Sequence, residues 1–277
     1  MKKLGFIDLF IDEWHANNYP AWIKTARRGK EFELAYAWEK APGNGRPLKK
    51  WCEDFGVTPV KSLEEIVEKS DALFVLAPSN PEVHRELAEI PLQSGKPVFV
   101  DKPFAPSKTD AQAMFEFATG HGTPLMSSSA LRFSAELDAW RNKPGTTYVE
   151  TTGGGSSFWE YSIHQLEMIT ALLGVGATRI MQCGSAGTEH MLIQYADDRR
   201  AALTYTANAP FTTRFVHEGK MIVNPDCSGY FPALLSEILD FFATGHSPVD
   251  AAQTIEIAAL VEAGIKALDE KNVWHDL

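Results

Sequence analysis

The chain is short of several things, and each shortage excludes something. It has three cysteines in 277 residues, Cys52, Cys183 and Cys227. They are far apart, odd in number and without a Cys-x-x-Cys pair, so neither a disulfide framework nor a zinc knuckle is on offer. Reduced thiols in a cytoplasm are the expectation. No apolar run approaches the roughly 18 residues that span a bilayer. The N-terminal Met1-Lys2-Lys3-Leu4-Gly5-Phe6 meets Asp8 before a signal-peptide core can form. Basic charge is in deficit: 26 Lys and Arg stand against 36 Asp and Glu, a net charge of -10. Nucleic acid and anionic membrane both need a basic surface, so the balance argues against them as partners and says nothing about the substrate. There is no internal repeat and no low-complexity linker.

What is present reads as two halves. Short apolar runs at Leu4–Ile7, Phe32–Trp38, Thr58–Val60, Ala72–Leu76, Val98–Val100 and Leu125–Ser127 predict strands. Between them, Tyr19–Gly29, Pro47–Phe55, Leu63–Lys69, Glu82–Gln93 and Thr109–Gly120 predict helices. Ser62 with Glu65 is a capping box and Ser107 with Asp110 a weaker start signal. Gly29, Gly56, Gly95 and Gly120 stand where left-handed caps are wanted. Strands alternating with helices mean βαβ units, so residues 1–123 predict a Rossmann-like, doubly wound parallel sheet. Near Pro144-Gly145 the character changes. Extended runs at Thr146–Thr152, Arg179–Gly184, His190–Tyr195, Ala201–Ala207, Thr213–Val216 and Met221–Asn224 follow one another, with helices at Ile163–Leu173, Phe231–Thr244 and Ala251–Asp269. Residues 124–277 therefore predict an α+β domain with a mainly antiparallel sheet. Its open face would suit a second copy, so a homo-oligomer is expected.

The most informative stretch is Val98-Phe99-Val100-Asp101-Lys102-Pro103. A buried strand ending on an acid, a lysine and a proline delivers charged groups to the carboxyl edge of a sheet, where open α/β folds bind ligands. A lysine partly desolvated there can give or take a proton near neutral pH.

That segment resembles the Glu-Lys-Pro motif of the Gfo/Idh/MocA family of sugar and cyclitol oxidoreductases, with the shorter acid. Ala72 to His84 resembles the family's fourth strand and Pro-Asn-x-x-His loop, with one extra residue between Pro78 and Asn80. Leu131-Arg132-Phe133 resembles its Arg-Phe segment, and Glu160-x-x-x-His164 its Asp-x-x-x-His. The resemblance covers essentially the whole chain. It implies NAD or NADP as cofactor and hydride transfer to or from a sugar, cyclitol or related polyol. Lys102 and His164 would serve the carbon that loses hydride, with Glu160 or Asp101 orienting them.

The same resemblance implies a dinucleotide site at Asp8, Phe10, Glu39, Pro78, Asn80, His84, Asp101 and Pro103, and a substrate site at Arg132, Trp159 and Tyr161. Each has a plainer reading beside it. The plainer reading of His84 is a helix-face residue, of His164 a half-buried histidine satisfied by a backbone carbonyl, of Arg132 a surface ion pair, and of the aromatics core. Glu39, ending the second strand, is placed to hold adenosine ribose hydroxyls, and Lys40 beside it to tolerate a 2′-phosphate.

One segment departs from the family. Dinucleotide-binding loops carry Gly-x-Gly-x-x-Gly so that backbone can approach the pyrophosphate. Here no glycine occurs between Gly5 and Gly29. Asp8, Phe10 and Asp12 or Glu13 stand where glycines would, and their carboxylates repel a pyrophosphate. Asp8, Asp12, Glu13 and His15 also have the residue types of a divalent-cation site. A second function follows from this departure: a non-catalytic descendant that binds a small ligand or a protein partner without a dinucleotide.

Overall fold

A computed structural model describes residues 1–277. The first sheet is six-stranded and fully parallel. Its strands are β1 (Lys2–Asp8), β2 (Phe32–Glu39), β3 (Thr58–Pro59), β4 (Ala72–Val75), β5 (Val98–Val100) and β6 (Leu125–Met126), in the order β3-β2-β1-β4-β5-β6. The connecting helices are α1 (Trp14–Thr25), α2 (Leu48–Phe55), α3 (Leu63–Lys69), α4 (Pro81–Leu92) and α5 (Lys108–Gly120). This is the doubly wound arrangement whose ligand edge lies beyond the carboxyl ends of the strands. Central strands covered on both faces must be apolar throughout, and Leu73, Phe74, Val75, Val98, Phe99 and Val100 are all fully buried.

The second sheet holds β7 (Thr146–Gly153), β8 (Ala177–Gln182), β9 (Glu189–Tyr195), β10 (Arg200–Tyr205), β11 (Thr212–His217), β12 (Lys220–Asn224) and β13 (Trp274–Asp276). Its order is β12-β11-β7-β10-β9-β8-β13. Every pairing is antiparallel except β7 with β10, which run parallel. Helix α6 (Phe158–Leu173) packs on this sheet with 12 of its 16 residues buried, and of its buried polar groups the Ser162 and Thr170 hydroxyls have no partner. Gln165 is satisfied by Thr151, whose hydroxyl donates to its Oε1 at 2.9 Å.

Two helices complete the chain, α7 (Tyr230–Thr244) and α8 (Ala251–Ala267). The compact units are Met1–Ser128 with Phe231–Ala251, and Ser129–Tyr230 with Ala252–Leu277. This division differs from a single cut at 123/124, because α7 belongs to the parallel-sheet unit. Phe242 on α7 meets Phe74 edge-on at 5.0 Å and Phe32 at 6.4 Å. Asp240 on α7 accepts from Arg27 at 2.6 Å and Arg28 at 2.8 Å.

Several boundaries differ from the sequence expectation. Helix α1 begins at Trp14, five residues before Tyr19, because Glu13 caps it: its carboxylate accepts the N–H of His15 (2.7 Å) and of Ala16 (2.5 Å). Helix α6 likewise begins at Phe158 rather than Ile163. Of the four glycines expected as left-handed caps, Gly56 and Gly95 have positive φ and Gly29 and Gly120 do not. Gly29 is required for space instead, since a Cβ there would lie 2.4 Å from the carbonyl oxygen of Ile23. Strand β13 closes the second sheet where no strand was foreseen.

Candidate functional site

The parallel-sheet unit gathers its chemistry at the carboxyl ends of β1, β4 and β5. Asp8 ends β1 and is fully buried. Its Oδ1 accepts the N–H of Ala77 at 3.2 Å, and the N–H groups of Leu9 and Phe10 point at the same carboxyl. Burial, then the charges of Glu13 and Asp101, push its pKa well above the usual carboxylate range. Its Oδ2 has no hydrogen-bond partner. Glu13, also raised by burial, occupies the N-terminus of α1. Glu39 accepts from Ile11 N–H at 3.0 Å and from Leu48 N–H at 3.3 Å. Asp12 takes the guanidinium of Arg46 at 2.7 Å, which holds its carboxyl far below the usual range.

The amides of the β1–α1 loop are therefore already in use. A pyrophosphate on this loop would need the N–H groups that Asp8 and Glu13 occupy, with no anion beside them. The segment Gly43–Arg46 also lies on the loop. A Cβ at Gly43 would meet Phe10 at 2.9 Å, and one at Gly45 would meet the Asp12 carboxylate at 2.5 Å. The residues do not fit a dinucleotide seated as the family resemblance implies. Glu39 is spent on loop amides rather than left for a ribose. Lys40 pairs with Glu86 at 2.5 Å. Nor do Asp8, Asp12, Glu13 and His15 make a cation site, since Asp12 faces Arg46 and no three His, Cys, Asp or Glu side chains gather as a ligand set.

At the ends of β4 and β5 the other predicted residues appear. Asp101, Lys102 and Pro103 are buried, and the Lys102–Pro103 peptide is cis. The Lys102 ammonium donates to the carbonyl of Pro78 at 3.3 Å, and its backbone N–H to Asp101 Oδ1 at 2.8 Å. Asn80 precedes α4 and donates to Glu82 at 2.9 Å. His84 is fully buried, with Nδ1 3.0 Å from the carbonyl of Phe104 and Nε2 2.7 Å from that of Leu76. Burial lowers its pKa. It pins the end of β4 to the segment after β5, a buried structural role that neither the nicotinamide-pocket reading nor the helix-face reading described. Asp101 makes a short contact with Nδ1 of His15, a residue that sequence reasoning weighed only as a cation ligand.

The second unit builds around His164, the seventh residue of α6. That is beyond the first turn, where a helix dipole acts on a charge. The imidazole Nδ1 lies 2.6 Å from Ser129 Oγ. Ser129 in turn donates its N–H to Glu167 at 2.9 Å, and Glu167 pairs with Arg132. Arg132 is wholly buried, its Nη1 reaching Gln253 at 2.7 Å while Nη2 has no hydrogen-bond partner. Two of its three nitrogens are thus held by Glu167 and Gln253. Glu160 accepts from Ser156 Oγ at 2.8 Å. Tyr161 and Phe211 flank the His164 ring at 5.5 and 5.6 Å, and Trp159 is 43 % exposed. Ser129 and Glu167 escape sequence reasoning. Glu167 carried a signal, standing three residues after His164 on one helix face.

Residues 15–129 match the oxidoreductase family with NAD-binding Rossmann fold, GFO_IDH_MocA. The matched segment starts after the glycine-free loop. Among solved structures, a probable dehydrogenase from Thermotoga maritima is similar at a TM-score of 0.80 and 16 % identity, over 99 % of this chain and 98 % of that one. A putative myo-inositol dehydrogenase from Sinorhizobium meliloti 1021 gives 0.80 and 13 %, over 100 % and 99 %. The myo-inositol dehydrogenase from Lactobacillus casei, in complex with NAD(H) and myo-inositol, gives 0.81 and 13 %, over 100 % and 96 %. At such identities the structures speak for the fold, and that fold runs the whole length of the chain. Residues 15–129 are thus similar to that family's NAD-binding domain, and the whole chain is similar in fold to these dehydrogenases.

Proposed function

We propose that this chain binds a sugar, cyclitol or related polyol and holds neither NAD nor NADP on its β1–α1 loop. The observation that carries this is the occupation of the loop amides by the chain's own acids, Asp8, Glu13 and Glu39. The polyol class rests on the family and on the aromatic faces of Tyr161 and Phe211 beside His164, which suit the C–H side of a ring. Titration with NADH and NADPH, read by tryptophan quenching, should show no saturable binding below the millimolar range. Myo-inositol or another polyol should raise the melting temperature as its concentration rises. Saturable micromolar binding of either dinucleotide would overturn the reading.

A second reading is favoured by Lys102 at the end of β5 and His164 backed by Ser129. It is a polyol oxidoreductase in which His164 exchanges the hydroxyl proton, Lys102 assists through its charge, and Asp101 or Glu160 orients the pair. If Lys102→Ala and His164→Ala both leave turnover of an identified polyol intact, that reading is wrong. A homo-oligomer belongs to either, supported by Met221 and Val223, 56 % and 62 % exposed on the edge strand β12.

A further inference from the structure

Two buried histidines of the parallel-sheet unit make an instructive pair. His84 spends both ring nitrogens on backbone carbonyls, as a structural histidine does. His15 spends one. Its Nδ1 is held by Asp101 Oδ2, with the Tyr19 hydroxyl 3.4 Å away, and Nε2 has no protein partner. The side chain keeps 8 % of its exposure. Its plane is fixed on three sides: Tyr19 stacks on it at 4.9 Å and 13°, while Trp14 and Phe231 meet it edge-on at 5.3 and 6.0 Å.

Asp101 is built to hold that ring. Burial alone would raise its pKa, but the charge and hydrogen bond of His15, with the charge and N–H of Lys102, bring it below the usual carboxylate range. In the neutral form of His15 the same carboxylate accepts Nδ1–H, which leaves the lone pair on Nε2. Trp14 beside it is 52 % exposed and leans on Phe231 at 4.9 Å, offering an aromatic face next to an open base.

We propose that His15, aligned by Asp101, is a general base for a small hydroxylated carbonyl compound, a keto sugar or keto polyol, lying against Trp14. The proposal rests on the reading that no dinucleotide is seated on the β1–α1 loop. Nε2 takes a proton from the carbon beside the carbonyl. The C–H bond breaks, its electron pair becomes the C=C of an enolate, and the negative charge goes to the carbonyl oxygen. Lys102 supplies positive charge at the same strand end. Return of a proton from His15 restores the ketone, so no oxidant or reductant is consumed.

The test is exchange of C–H for C–D in dihydroxyacetone and in D-fructose, incubated with the protein in D2O and followed by proton NMR. Wild type should exchange at least about tenfold faster than buffer, within the range a positioned base supplies. His15→Ala should fall to the buffer rate and recover in part with added imidazole, which a purely structural role would not do. His15→Gln, which retains a large polar side chain, guards against misfolding and should be equally slow. Asp101→Glu should keep most of the rate and Asp101→Asn lose it about tenfold. Exchange at the buffer rate in wild type, or equal rates in wild type and a folded His15 variant, overturns the proposal. NADH titration of the same samples separates the two readings: saturable binding sinks the dinucleotide-free reading, whereas absent exchange without NADH binding sinks the dyad alone.

Discussion

Arg132 shows how a buried ion is tolerated. Its guanidinium and the Glu167 carboxylate are both out of water, so each is secure only while the other is present. Arg132→Met should cost about 3–5 kcal/mol in urea unfolding, because it strands a buried carboxylate. Glu167→Met added to it should recover much of that loss. A simple sum of the two single costs would mean the pair does not act as a unit. Asp8 gives a pH prediction of definite sign. Its folded pKa lies above the unfolded one, so its favourable contribution is complete below about pH 4 and is lost as pH rises through the folded value. The melting temperature of Asp8→Asn relative to wild type should therefore climb between about pH 4 and pH 8. A difference that stays flat over that range contradicts a raised pKa.

At the scale of elements, local chemistry was legible where it is local. The Val98–Val100 strand, the Ser62 and Ser107 caps and the Gly56 terminus follow from a few neighbouring residues, and the structure has them. Helix α1 starts five residues before the predicted Tyr19, and Pro20 lies inside it. The site was legible in its residue types and not in its partnerships. The contact of His15 with Asp101 spans 86 positions and that of Arg132 with Gln253 spans 121, which no pattern along the chain reports. The run Gly153-Gly154-Gly155, which ends β7 and leads toward α6, is a further case. A Cβ at Gly154 would lie 1.9 Å from the carbonyl oxygen of Thr206, and one at Gly155 would lie 2.1 Å from the Tyr161 ring. Gly154→Ala should destabilise by about 1–3 kcal/mol, since backbone has to move. Thermal melts of Gly154→Ala against Gly120→Ala, where no atom lies within 4 Å and φ is not positive, would separate this clash from the loss of a glycine as such.

For the whole molecule, the two halves expected from sequence are present as sheets, yet their ownership of helices is crossed. A fragment ending at residue 128 lacks α7 and leaves Phe74 and Phe32 without Phe242. It should melt without cooperativity or aggregate, and joining residues 231–251 to it should restore a sharp transition. A sharp melt for the short fragment would show that α7 is dispensable to that unit. The chain passes between its units at 128/129, 230/231 and 251/252. In the terms of inheritance, this sets a limit on shuffling. A gene segment cut at any one of these junctions carries an unfinished floor, so the parallel-sheet unit can be traded between relatives only with a second, distant piece of the same gene.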